Sequence, residues 1–306
     1  MVDQSGRTRV LVTGGAGMLG GDFAREAVHF PQFDVKALSR DELDVRDAAA
    51  VDQWADWVSG GWIVHCAALV DVEGCARDPE HARATIVEGT RNVARLAARA
   101  DARMLYPQTF LVYDGTEYPM PEELEPNPLH LYGQLKYEAE RLVVAETKDP
   151  LVIRMAGFFG GGPKDKNFVG RIIPVIEAAM DKGEPTFSVG DRVWQPTWTK
   201  DLAYNSLALM ERGASGTYQM GSLGEASFAD IAEIIVEELG WSGRIAIERV
   251  SAAAISGSEL GRRPDRAVLS CDRLNRERVN LQRDWAATLR TYLADPFFDR
   301  YRPSNA

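Results

Sequence analysis

Apolar and polar positions along the chain follow two rhythms in turn. Short, nearly unbroken apolar runs predict buried strands at residues 9–13, 33–38, 62–68, 103–109, 151–156 and 216–220. Between them, apolar residues return at helical spacing over 22–29, 80–100 (Ala84, Val87, Val93, Leu96, Ala97), from 131 onward, and over 169–182, 200–211 and 228–239. Asp47 is placed to cap a helix after it, and Ser227 with Asp230 three residues on makes a capping-box start. Strand and helix alternate, which predicts an α/β fold built on a doubly wound parallel sheet. Residues 1–156 read as one layer-forming unit and 157–306 as a smaller α/β lobe with some segments returning to the sheet. No repeat or low-complexity linker divides them.

Composition narrows the partners. The chain has 306 residues, 45% hydrophobic and 26% charged, enough to bury a sizeable core. A net charge of −10 argues against nucleic acid but leaves room for a small anion held by a local cluster. Cys66, Cys75 and Cys271 form no C-x-x-C and are odd in number, so neither disulfides nor a metal site is expected, and a cytoplasmic location fits. The polar start, Met1 to Arg9, lacks the apolar core of a signal peptide, and no apolar run is long enough to span a bilayer.

The first predicted strand runs straight into Gly14-Gly15-Ala16-Gly17-Met18-Leu19-Gly20 and then a helix, the order of a Rossmann dinucleotide-binding turn. Gly14 permits the tight turn, Gly17 the approach of a diphosphate, and Gly20 close helix packing; Met18 and Leu19 lead into the helix whose N–H groups face the phosphates. After the second strand come Ser39 and Arg40 where an acidic residue would select NADH, so NADPH is favoured and NADH remains usable. Asp44 and Val45 are candidates to flank the adenine, and the small residues Cys66, Ala67 and Ala68 to pass beneath the cofactor. His65 reads as a packed strand histidine.

Tyr132 and Lys136, four apart after a proline-rich stretch, fall on one face if a helix opens near Leu131. An ammonium beside a phenol lowers its pKa, giving a proton donor to a carbonyl. Thr109 lies at the carboxyl end of its strand, where open α/β sheets bind ligands. The set Gly14/Gly17/Gly20, Ala67-Ala68, Thr109 with Val112-Tyr113-Asp114-Gly115, and Tyr132/Lys136 resembles the extended short-chain dehydrogenases/reductases. Leu43-Asp44-Val45, Lys166-Asn167-Phe168-Val169 and Pro196-Thr197-Trp198-Thr199-Lys200-Asp201 narrow the resemblance to the dTDP-4-dehydrorhamnose reductase family.

That resemblance implies hydride transfer from a nicotinamide to the keto carbon of a nucleotide-linked 4-keto-6-deoxyhexose. Tyr132 would be the proton donor, Lys136 would lower its pKa and hold the nicotinamide ribose, and Thr109 would bond the carbonyl oxygen. It also implies Val70, Phe110, Leu111, Asn167 and Trp198 around the sugar, and leaves a homodimer open. Lys164, Lys166 and Arg154 are candidates for a substrate phosphate, and Arg262-Arg263 for a diphosphate. A dehydratase of the superfamily would carry Asp-Glu after the threonine; Phe110-Leu111 stand there, which disfavours dehydration. Cys66, Gln108, Phe110-Leu111 and Ile86 depart from the family's usual residues, and Ile86 stands where an asparagine commonly supports the proton relay. The alternatives are a non-catalytic dinucleotide-binding regulatory subunit, or a nucleotide-sugar 4-epimerase or dehydrogenase.

Overall fold

A computed structural model describes residues 6–255 and 262–303, so the predicted polar start is covered only from Gly6. The apolar runs form a six-stranded parallel sheet: β1 (Thr8–Thr13), β2 (Phe33–Leu38), β3 (Trp62–His65), β4 (Arg103–Thr109), β5 (Leu151–Met155) and β6 (Gly216–Met220), in the order β2-β1-β3-β4-β5-β6. The chain leaves β1 toward β2 and returns on the other side as β3. The carboxyl ends of β1 and β3 therefore border the crevice that such sheets use for ligands. β3, buried at all four residues, shows the continuous apolar pattern of a strand covered on both faces.

Helices α1 (Met18–Glu26), α2 (Gly89–Arg99), α3 (Leu131–Glu146), α4 (Phe168–Asp181), α5 (Thr199–Glu211), α6 (Phe228–Glu238) and α7 (Trp285–Leu293) carry most of the remainder. α1 packs on α5 and α2 on α3. Helix α1 begins four residues earlier than its apolar pattern predicts, because Gly17 serves as its N-cap and Gly20 and Gly21 sit inside it. The stretch predicted as one helix over 80–100 is Pro79–Arg83 followed by a π-turn, Ala84–Glu88, and then α2. The caps predicted at Asp47 and at Ser227/Asp230 both form, the second as a full capping box.

Two apolar cores result. The larger surrounds the sheet and includes Leu202, Leu207, Tyr218, Leu269 and Leu274 from the second half of the chain. The other gathers Phe159, Val169, Ile173, Ile235, Trp241, Leu289 and Phe298. Among the described residues no helix is long and apolar enough to cross a membrane, and no three His, Cys, Asp or Glu are placed to hold a metal ion.

Candidate active site

The glycine turn lies against the end of β3. Gly14 has a φ of +68°, and a Cβ there would meet the Ala67 nitrogen at 2.8 Å. A Cβ at Gly20 would stand 2.4 Å from the Gly14 carbonyl oxygen, so the close approach of α1 to the turn requires glycine. Gly17 caps α1 without a side chain, leaving exposed backbone where Met18 and the buried Leu19 begin the helix. The Ala67 N–H donates to Thr13 Oγ1 at 3.2 Å, and Thr13 contacts the buried His65 Nδ1 at 2.8 Å. His65 Nε2 in turn lies 3.0 Å from Thr90 Oγ1, which donates to the Ile86 carbonyl in the π-turn. Burial, aided by the Lys136 charge, depresses His65 to about 3, so this histidine is a neutral packing group.

Beyond β2, the Ser39 hydroxyl donates to Glu42 Oε2 at 2.7 Å, and the exposed Arg40 lies 3.8 Å from Asp44. Hydrogen bonds from Arg46 hold Asp44 down to about 2. Val45 is buried, and its carbonyl accepts from Asn92.

Tyr132 and Lys136 share one buried face of α3, whose first residue is Leu131. The helix is capped by His130, whose Nδ1 accepts from the Gly133 N–H at 3.0 Å. Lys136 Nζ donates to the Pro107 carbonyl at 2.7 Å and stands 3.9 Å from the centre of the Tyr106 ring. β3 pairs with β4 only as far as Leu105, so the proline lies beyond that ladder and its missing N–H is tolerated there. Burial pushes the Lys136 ammonium down to about 7, against the opposing pull of Glu140. The phenol does not follow the expectation of a lowered pKa: burial drives Tyr132 well up, with Cys75 adding to the rise and the Thr109 hydroxyl opposing it. Physically, the ammonium is directed at the Pro107 carbonyl, and desolvation of the phenolate dominates.

Thr109 ends β4, and its Oγ1 accepts from the Leu111 N–H at 3.2 Å. The strand stops there. Phe110–Val112 form a 3-10 turn in which all three side chains are buried, so strand alternation does not govern Phe110 and Leu111. The Phe110 ring meets Trp194 edge-on at 4.8 Å. Val70 is 56% exposed just past β3. Asn167 caps α4 by position and donates its amide to the Phe158 carbonyl at 2.8 Å, while Trp198 lies in a short strand paired with Phe158–Phe159.

Arg154, a candidate for a substrate phosphate, is instead taken up in a buried ion pair. Its guanidinium bonds Glu140 at 2.6 Å and the Tyr113 hydroxyl at 2.7 Å, all three side chains being buried. Gln108 completes this network, donating to Glu140 at 2.7 Å and to the Lys136 carbonyl at 2.9 Å. An arginine inside an apolar strand was the sequence signal for such a buried pair, since charges are seldom buried unpaired. Lys164 and Lys166 are exposed, and Arg263 pairs with Glu73 at 3.2 Å. A concavity of about 850 Å³ opens over residues 122–126 and Arg141 with Glu140 and Arg154 in its lining. Tyr132 and Thr109 are not part of it.

Comparison with known proteins shows the family. The family described as "RmlD substrate binding domain" matches residues 8–297. A dTDP-4-keto-6-deoxy-D-glucose reductase of Streptomyces niveus is 31% identical over 92% of this chain and 95% of its own length. A dTDP-4-dehydrorhamnose reductase of Mycolicibacterium smegmatis is 30% identical over 94% and 85%. The crystal structure of a dTDP-4-dehydrorhamnose reductase from Clostridium acetobutylicum superposes with a TM-score of 0.84 at 25% identity, covering 94% of this chain and 98% of that one. With the family matched along nearly its whole length and relatives of this identity, the chain belongs to the dTDP-4-dehydrorhamnose reductase family.

Proposed function

We propose that the chain reduces a dTDP-linked 4-keto-6-deoxyhexose with NADPH, and less efficiently with NADH. The observation that carries this reading is the Thr109 hydroxyl beside the Tyr132 phenol, with Lys136 one turn along the same buried helix face, in a chain of this family. The residues fit a dinucleotide: glycine at 14 and 20 lets the turn close on β3 and on α1, where a Cβ would stand 2.8 Å and 2.4 Å from backbone atoms, and Ala67 and Ala68 are small where the turn meets β3. Gly14, Gly17, Met18 and Leu19 would hold the diphosphate, Ser39 and Arg40 the ribose, and Asp44 and Val45 the adenine side. Cys66, Ala67, Ala68, Tyr132 and Lys136 would hold the nicotinamide half. The cofactor supplies the hydride.

The chain's own residues manage the proton. With its pKa raised by burial, Tyr132 keeps its proton through the physiological range, which is the state a donor to a forming alkoxide needs. Thr109 bonds the same oxygen and orients it. Val70, Phe110, Leu111, Asn167 and Trp198 would border the sugar. The test is NADPH oxidation by the purified protein with dTDP-linked 4-keto-6-deoxyhexoses. Turnover supports the reading; tight NADPH binding with no turnover on any of them would make the chain a dinucleotide-binding subunit.

Three predictions concern the cofactor. Gly14→Ala places a side chain at positive φ and against the Ala67 backbone. At about 1–2 kcal/mol for that conformation alone, NADPH affinity should fall roughly tenfold or more. Arg40→Ala should reduce the preference for NADPH over NADH about tenfold, the worth of one charge-assisted hydrogen bond. Glu42→Gln should act oppositely, because the Glu42 carboxylate sits on the Ser39 hydroxyl and repels a 2′-phosphate. Calorimetry showing NADH bound more tightly by the unaltered protein would overturn the assignment of Ser39 and Arg40.

A further inference from the structure

We propose that Glu140, locked in place by Gln108 and Arg154, is a positioning residue that keeps Lys136 charged and joins the strand carrying Thr109 to the helix carrying Tyr132. The proposal rests on the reductase reading above. Glu140 follows Lys136 by one helical turn on the buried face of α3, and each is only 4% exposed. An ammonium so far from water needs an anion near it.

The groups around Lys136 leave that task to Glu140. From β3 come His65 and Cys66, and burial makes both neutral, His65 low and Cys66 up to about 12. From β4 come the Tyr106 ring and the Pro107 carbonyl. On α3 itself stands Tyr132, a protonated phenol. The helix Val72–Arg77 brings Cys75 near Tyr132 and Glu73 near His130. Arg83 and Arg91 are paired with Glu138 and Glu146 of α3. Glu140 is the anion whose charge pulls on Lys136.

Its carboxylate is fixed at both oxygens. Arg154 of β5 donates to Oε1 at 2.6 Å, and Gln108 of β4 donates to Oε2 at 2.7 Å. Gln108 also donates to the Lys136 carbonyl and accepts from the Thr109 N–H at 2.9 Å. One amide thus touches the residue bearing the hydroxyl, the residue bearing the ammonium, and the anion. A side chain as short as serine at position 108 could not span these partners.

Two measurements test this. In the unaltered protein kcat/KM, which reports free-enzyme groups, should fall on the alkaline side as Lys136 loses its proton near pH 7. Glu140→Gln should move that limb about one pH unit or more toward acid, so that rate lost at neutral pH returns on acidification. A 13C NMR titration of the Lys136 Cε signal should move by the same amount. Because Glu140→Gln strands the Arg154 charge, the double variant Glu140→Gln/Arg154→Gln is measured beside it and should shift in the same direction. Gln108→Leu keeps the charge and should lower kcat roughly tenfold with the limb unmoved. Superimposable pH profiles and NMR titrations in the folded double variant overturn the proposal, as does a rate loss that acid does not restore. If no keto-sugar is reduced at all, the reductase reading fails, while the NMR titration still decides the role of Glu140.

Discussion

Tyr132→Phe should leave NADPH binding nearly unchanged and slow keto-sugar reduction by about 100- to 10,000-fold, the usual worth of a positioned general acid. The ring is 7% exposed and packs at the start of α3, so phenylalanine fills the same volume and the helix keeps its His130 cap. Only the hydroxyl is lost. Thr109 remains beside the carbonyl oxygen and can bond it, but a threonine hydroxyl is too weak an acid to replace the phenol. Single-turnover measurement of NADPH consumption separates this loss from slow product release, and calorimetry checks that the cofactor still binds. Reduction within twofold of the unaltered rate would assign the proton to water or to another side chain.

What the sequence showed and what it hid divide along the range of the interactions. The strands, the glycine turn and the Tyr132/Lys136 face depend on neighbours a few residues away, and periodicity and turn chemistry expose them. The start of α1 was obscured because Gly20 and Gly21, poor helix formers, are kept inside it, Gly20 for close packing on the turn. Phe110 and Leu111 follow the predicted strand directly, yet β4 ends at Thr109 and a 3-10 turn buries both, which no local pattern announces. The Tyr132 pKa was read from the nearness of a lysine in sequence. Which way its ammonium points depends on the Pro107 carbonyl, available because β3 pairs no further than Leu105. The Gln108–Glu140–Arg154 network joins residues from two strands and a helix, and no local pattern announces it; only the lone arginine in an apolar strand hinted at a buried partner.

Arg154→Met should destabilise the fold by about 3–5 kcal/mol, the cost of removing one partner from a buried ion pair. The Arg154 and Glu140 side chains are 9% and 5% exposed, so each charge is largely desolvated and loses its main partner when the other is removed. Methionine keeps the unbranched stem that packs in β5, and Tyr113 keeps its hydrogen bond from Gln219, so little packing is lost. What remains is the Glu140 carboxylate with Gln108 as its donor and, for counter-charge, the Lys136 ammonium, which is itself directed at the Pro107 carbonyl. The pair itself is worth far less than this, because its mutual attraction mainly offsets the desolvation of two ions. Adding Glu140→Gln to Arg154→Met removes the stranded charge and should restore a large part of the loss. Urea unfolding of the two variants decides the point: if single and double lose the same stability, the cost comes from packing around β5 and the carboxylate is solvated after all.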